Sequence, residues 1–145
     1  MDEIASHRTG TETLELFCTL SARLLGQSEL PADLAAEYLD RIATLGPDPA
    51  AALEALLATF REIVAFGGEI DGAIHERVFG DARLRQSARR IIILWYLGEL
   101  VDDADKAIEG PAEHHFRGLM WEMIHAHPLG LSGGYFGYWK YPPEN

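Results

Sequence analysis

Four histidines stand within residues 114–127, as the pairs His114-His115 and His125-x-His127. With Glu113 or Glu122 beside them, they supply the donor types that bind a transition metal. The spacing argues otherwise. Two histidines share a helical face at separations of three or four, as in HExxH, and neither pair has that separation. His125 and His127 would converge only from a turn, and Pro128 biases His127 away from helix. Histidines that hydrogen-bond within the fold are the favoured reading. A free-standing helical metal-binding protein or enzyme using His114, His115, His125 and His127 is the alternative.

Other chemistry is equally hard to assemble. Asp102-Asp103-Ala104-Asp105 resembles part of a calcium loop but lacks the Asp-x-Asp-x-Asp-Gly pattern that such a loop needs. A solvated loop is the simpler account. Ser132 lies among glycines with no base indicated near it, and Cys18 has no positioned histidine. The setting of Cys18, LELFCTLSARLL, is the apolar side of a helix, which predicts a buried, inert thiol. Arg83 and Arg90 would share one helical face and Arg85 and Arg89 another, so they read as partners for the abundant carboxylates.

The elements that must carry these residues are helical. Leu14, Phe17, Cys18, Leu20, Leu24 and Leu25 recur at helical spacing over 11–25, with Gly26 as a stop. Leu34, Tyr38, Ile42 and Leu45 form a second stripe, ended by Gly46-Pro47. Asp48-Pro49 reads as the cap and first-turn proline of a third helix bearing Leu53, Leu56, Leu57, Phe60 and Val64. Residues 69–80 predict a short helix or an irregular turn. Asp81 can cap a helix through DARLRQSARRIIILWYLGEL, apolar nearly all round in its second half and therefore central. VDDADKAIEGP reads as a polar loop, and 114–127 suits either a helix or an extended form.

The tail is different. Tyr135, Phe136, Tyr138, Trp139 and Tyr141 crowd into a stretch punctuated by Gly133, Gly134, Gly137, Pro142 and Pro143. Glycine costs about 1 kcal/mol and proline about 3 in a helix interior, so these rings must be buried by another route. They fold back on their own domain or bind another surface. The expected architecture is an all-α, compact bundle of four to five helices with a non-helical Gly/aromatic C-terminal tail. Its divisions are a polar, flexible segment over 1–13, a helical domain over 14–128 and an extended partner-binding tail over 129–145.

A chain of 145 residues is long enough for one unaided core, and a net charge of −11 excludes a general nucleic-acid binder. One cysteine allows no internal disulfide. The first 13 residues show neither an apolar export region nor twin arginines.

Three blocks carry a resemblance. Phe17-CTLSARLLGQSELP, Leu94-WYLGEL, and Ala126-HPLGLSGGYFGYW with Gly118-LMW ahead of it resemble the small subunit of membrane-associated, FAD-dependent sugar and sugar-alcohol dehydrogenases of bacteria, such as those for sorbitol, fructose and glucose. The resemblance implies a non-catalytic accessory subunit with no cofactor of its own. Its implied partner is a GMC-type flavoprotein that holds FAD and substrate, with a multihaem cytochrome c as electron outlet. The small subunit would escort and stabilise that flavoprotein, and any membrane association would be indirect. The implied location is the periplasm, if a leader has been removed or the partner supplies one, and otherwise the cytoplasm. Partner-binding residues expected on this basis are Tyr96, Trp121, His127, Pro128, Gly133, Gly134, Tyr135, Phe136, Tyr138, Trp139 and Tyr141.

Overall fold

The computed structural model describes residues 2–124, with side chains from Arg8 onward. Within them run α1 (Asp2–Leu25), α2 (Ala32–Ala43), α3 (Pro47–Phe66), α4 (Ile70–Arg77), α5 (Ala82–Leu97), β1 (Leu100–Val101), β2 (Ala107–Ile108), α6 (Ala112–Phe116) and α7 (Leu119–Met123). The five longer helices are the expected bundle. The apolar stripes meet as predicted: Phe17 and Leu20 of α1, Leu34, Tyr38 and Ile42 of α2, and Leu56, Phe60 and Ile63 of α3 are all buried. They close around Ile91, Leu94 and Trp95 of α5, which packs on α1, α3, α7 and β1. Each such side chain contributes roughly 1.5–3 kcal/mol by leaving water.

The helix ends follow local chemistry. The Asp81 carboxylate accepts from the Arg83 and Leu84 amides at 3.0 Å, capping α5 as anticipated. Glu69 does the same for α4, accepting from Gly72 N at 3.0 Å, which makes 70–77 a helix. The cap of α3 is Gly46, not Asp48, with Pro47 inside the first turn where its missing N–H goes unneeded.

Three expectations change. α1 begins at Asp2, so residues 2–13 are helical and not a separate segment. Once the buried turns from Leu14 onward are fixed, each further residue adds a hydrogen bond without a new nucleation cost. Val64 is 46% exposed, outside the core stripe of α3. The loop after α5 contains a small antiparallel hairpin, with Leu100 opposite Ile108 and Val101 opposite Ala107. The α5 helix stops at Leu97 because Gly98 takes the left-handed conformation (φ 67°, ψ 14°). No helix among the described residues is long and apolar enough to cross a membrane.

Candidate functional site

The hairpin is held by the charges that looked like a metal or solvent loop. Asp102 Oδ1 accepts from the Ala104 and Lys106 amides at 2.9 Å each, closing the turn on itself. Arg90, buried on α5, donates to the Val101 carbonyl at 2.8 Å and to Asp103 Oδ1 at 2.6 Å. Arg89 approaches Asp105 at 3.9 Å, and Arg85 donates to the Phe79 carbonyl at 3.1 Å. These arginines therefore bind the molecule to itself.

Beyond the hairpin, α6 and α7 return over the C-terminal end of α5, and one stripe of α2 grips them. Asp33, Glu37 and Arg41 recur at i, i+4 and i+8, beside the buried stripe of Leu34, Tyr38 and Ile42. Arg41 Nη1 donates to the Gly98 carbonyl at 2.9 Å and lies 3.1 Å from His114 Nδ1. Its Nη2 reaches the Ile108 carbonyl at 3.4 Å. One side chain thus ties α2 to the end of α5, to β2 and to α6. Burial pulls the Arg41 guanidinium below its ordinary pKa, with Tyr38 opposing.

His114 is 2% exposed. A guanidinium only donates, so Nδ1 accepts and the ring proton sits on Nε2, which faces Glu37 Oε2 at 3.4 Å without hydrogen-bonding geometry. Arg117, next along, meets the Asp33 carboxylate at 3.2 and 3.4 Å and Glu113 at 3.7 Å. That contact holds Asp33 below its ordinary pKa and raises Arg117.

Two glycines let the segment seat. A Cβ on Gly98 would strike the His114 carbonyl, and one on Gly118 would strike the Tyr96 carbonyl. The half-buried Trp121 donates from Nε1 to the His115 carbonyl at 2.9 Å and packs its ring edge-on to the His115 imidazole, centroids 5.3 Å apart. Segment 112–123 is thus two short helices broken at Arg117-Gly118, neither one long helix nor an extended run.

Under the segment lies a set of interlocked rings. Tyr38 stands edge-on to Trp95 at 4.9 Å and to His114 at 5.0 Å. Such pairs add about 0.5–1.5 kcal/mol beyond area burial. The Tyr38 hydroxyl and Trp95 Nε1 are buried without a hydrogen-bond partner. Desolvation pushes the Tyr38 hydroxyl up to about 12, from 10. A phenol whose pKa is raised by folding binds its proton more tightly in the folded state. The stability it favours is complete below pH 10 and declines as pH rises toward 12. Tyr38→Phe should remove that alkaline decline, and at neutral pH it should leave stability unchanged or raise it by about 1 kcal/mol, since the lost hydroxyl has no partner. Urea melts of both proteins at pH 7 and 10.5 check this. A loss of more than about 1 kcal/mol at pH 7 would show that the hydroxyl is satisfied after all.

Of the residues singled out in the sequence, the described set brings Tyr96, His114, His115 and Trp121 to this one region. His125, His127, Pro128, Gly133, Gly134, Tyr135, Phe136, Tyr138, Trp139 and Tyr141 lie outside the described residues. So does Ser132, although Gly130, Ser132 and Gly134 spell the G-x-S-x-G of a nucleophile elbow, a motif that acts only from a strand-to-helix turn. Among the described residues no three His, Cys, Asp or Glu side chains are grouped to hold a metal ion. His114 itself is engaged by a cation, which suits a structural histidine. Cys18 is half-buried, not buried, at the lip of an open groove of about 320 Å³ shared with Arg23 and Gln27. Desolvation, then Glu15, pushes its thiol above the ordinary range, so it is a poor nucleophile. Asp33, Glu37 and Arg41 escaped notice in the sequence. Their signal was a polar i, i+4, i+8 series beside an apolar one.

The family model described as membrane bound FAD containing D-sorbitol dehydrogenase matches residues 2–135. No curated protein and no solved structure gives a significant match.

Proposed function

The chain belongs to this family of membrane-bound, FAD-containing D-sorbitol dehydrogenase, and on that basis we propose that it is a non-catalytic accessory subunit that binds, stabilises and escorts an FAD-carrying catalytic subunit. The observation that carries the reading is the match through residue 135, which takes in all three sequence blocks as far as Tyr135. The structure adds support of its own kind. Two of those blocks, Leu94–Leu100 and Gly118–Trp121, form one contact, where Gly118 seats against the Tyr96 carbonyl. The histidine between them, His114, is used for packing and hydrogen bonding.

The partner proposed is a GMC-type flavoprotein that holds the sugar or polyol, with a multihaem cytochrome c taking its electrons. The pair would work in the periplasm, and FAD and haem would reside in the partners. The tail aromatics and the surface around Trp121 would make the contact, since aromatic anchors dominate interface energies.

Coexpression tests this. With the chain present, the cognate flavoprotein should be recovered as a stoichiometric complex with a larger soluble, FAD-loaded fraction, because a ligand of the folded state stabilises it by mass action. Equal solubility and flavin loading with and without the chain would defeat the escort role. The purified chain alone should carry neither flavin absorbance nor stoichiometric metal; bound metal would favour the histidine-based alternative.

A further inference from the structure

We propose that residues 112–123 are a strap that opens from α2 and α5 as a unit while the five-helix body stays folded, baring the Tyr38 ring and one side of Arg41. The device belongs to this chain alone and would operate whatever partner the chain has.

Two kinds of anchor are missing from the segment. Among the described residues its backbone hydrogen bonds close on themselves: Arg117 N donates to the Glu113 carbonyl, Gly118 N to His115, Trp121 N to Gly118 and Ile124 N to Met120. None of them reaches α2 or α5. Nor does the segment bury an apolar side chain. Phe116, Leu119, Met120 and Trp121 are only half-buried, and His114 is its one buried side chain. Buried apolar contacts are what resist local opening, and helices of five residues do not persist without them.

Side chains hold the strap down instead. Arg117 meets Asp33 at 3.2 and 3.4 Å in a solvent-exposed pair, which holds weakly. Arg41 meets His114 Nδ1 at 3.1 Å, and Gly118 seats on the Tyr96 carbonyl by close packing. The closed state also strands two polar atoms. His114 Nε2 and the Tyr38 hydroxyl are both buried without a hydrogen-bond partner, and the two rings stand 5.0 Å apart. Arg117 acts electrostatically on that hydroxyl, which places it close to the strap. Opening gives both atoms water and so recovers part of what the lost contacts cost. Glu109-Gly110-Pro111, exposed and in neither helix nor strand, supplies the upstream hinge.

Native-state hydrogen exchange on the full-length chain tests the strap. The amides of Arg117, Gly118, Trp121 and Ile124 should share one opening constant, about 100-fold or more above that of the Phe60 and Leu94 amides in the core. It should change little with urea below the global transition, because a small segment bares little surface. Asp33→Asn and Arg117→Gln should each raise the shared constant about 3-fold, and together by little more, since both break the same pair. Tyr38→Phe should lower it about 3-fold, because the closed state no longer strands a hydroxyl. Exchange of the four amides only by global unfolding, with the urea dependence of Phe60 and Leu94, overturns the proposal. So do four unrelated constants, or constants indifferent to Asp33, Arg117 and Tyr38, which would describe simple fraying.

Discussion

Gly98→Val is expected to destabilise the domain by about 3 kcal/mol or more, read as a lowered urea midpoint at constant slope. Two effects add. The backbone at Gly98 has φ 67°, a conformation that a β-branched residue adopts only under strain of about 1–3 kcal/mol. Its α-carbon also faces the His114 backbone so closely that any Cβ would overlap the carbonyl. A main-chain carbonyl cannot swing aside as a side-chain tip can, so α6 must move. When it moves, Arg41 loses contact with both the Gly98 carbonyl and His114. Gly26 provides the comparison. Its φ is 66°, yet nothing lies within 4 Å of where its Cβ would be, so Gly26→Val should show the strain alone. Equal losses at the two positions would mean that the close seat of α6 on α5 contributes nothing.

Removing Leu131 to Asn145 is expected to abolish the complex with the catalytic subunit while leaving helicity and melting temperature of the free chain nearly unchanged. The deleted stretch holds five aromatics among glycines and prolines. Glycine lets a backbone approach a partner closely, and Pro142-Pro143 limits the freedom lost on docking. Trp139→Ala alone should weaken association by roughly 2 kcal/mol or more, the loss typical of a central interface tryptophan. Circular dichroism and a titration against the purified flavoprotein read the two properties separately. An unfolded truncation would show that the tail caps its own helices. Binding of undiminished strength would place the contact entirely on the helical body.

Periodicity and punctuation made most of the bundle legible. The stripe Leu34, Tyr38, Ile42 lies inside, Asp81 caps α5, and α2 ends ahead of Gly46-Pro47, because spacing and backbone preference are local properties of the chain. The three blocks that resembled one dehydrogenase family were equally local, and the match over residues 2–135 agrees with them. What the sequence could not settle depended on which surfaces meet. His114 looked like one of four candidate ligands until Arg41, 73 residues earlier, was found 3.1 Å from its Nδ1. Asp33 and Glu37 carried no signal of a role in the sequence beyond their spacing, and only the return of α6 over α2 gave them partners. The loop after α5 became a hairpin because Arg90, buried at the start of the apolar half of its helix, needed Asp103 and the Val101 carbonyl. A helix propensity or a cap is decided within four or five residues. A buried polar contact is decided by desolvation, which exists only once distant segments have closed over it.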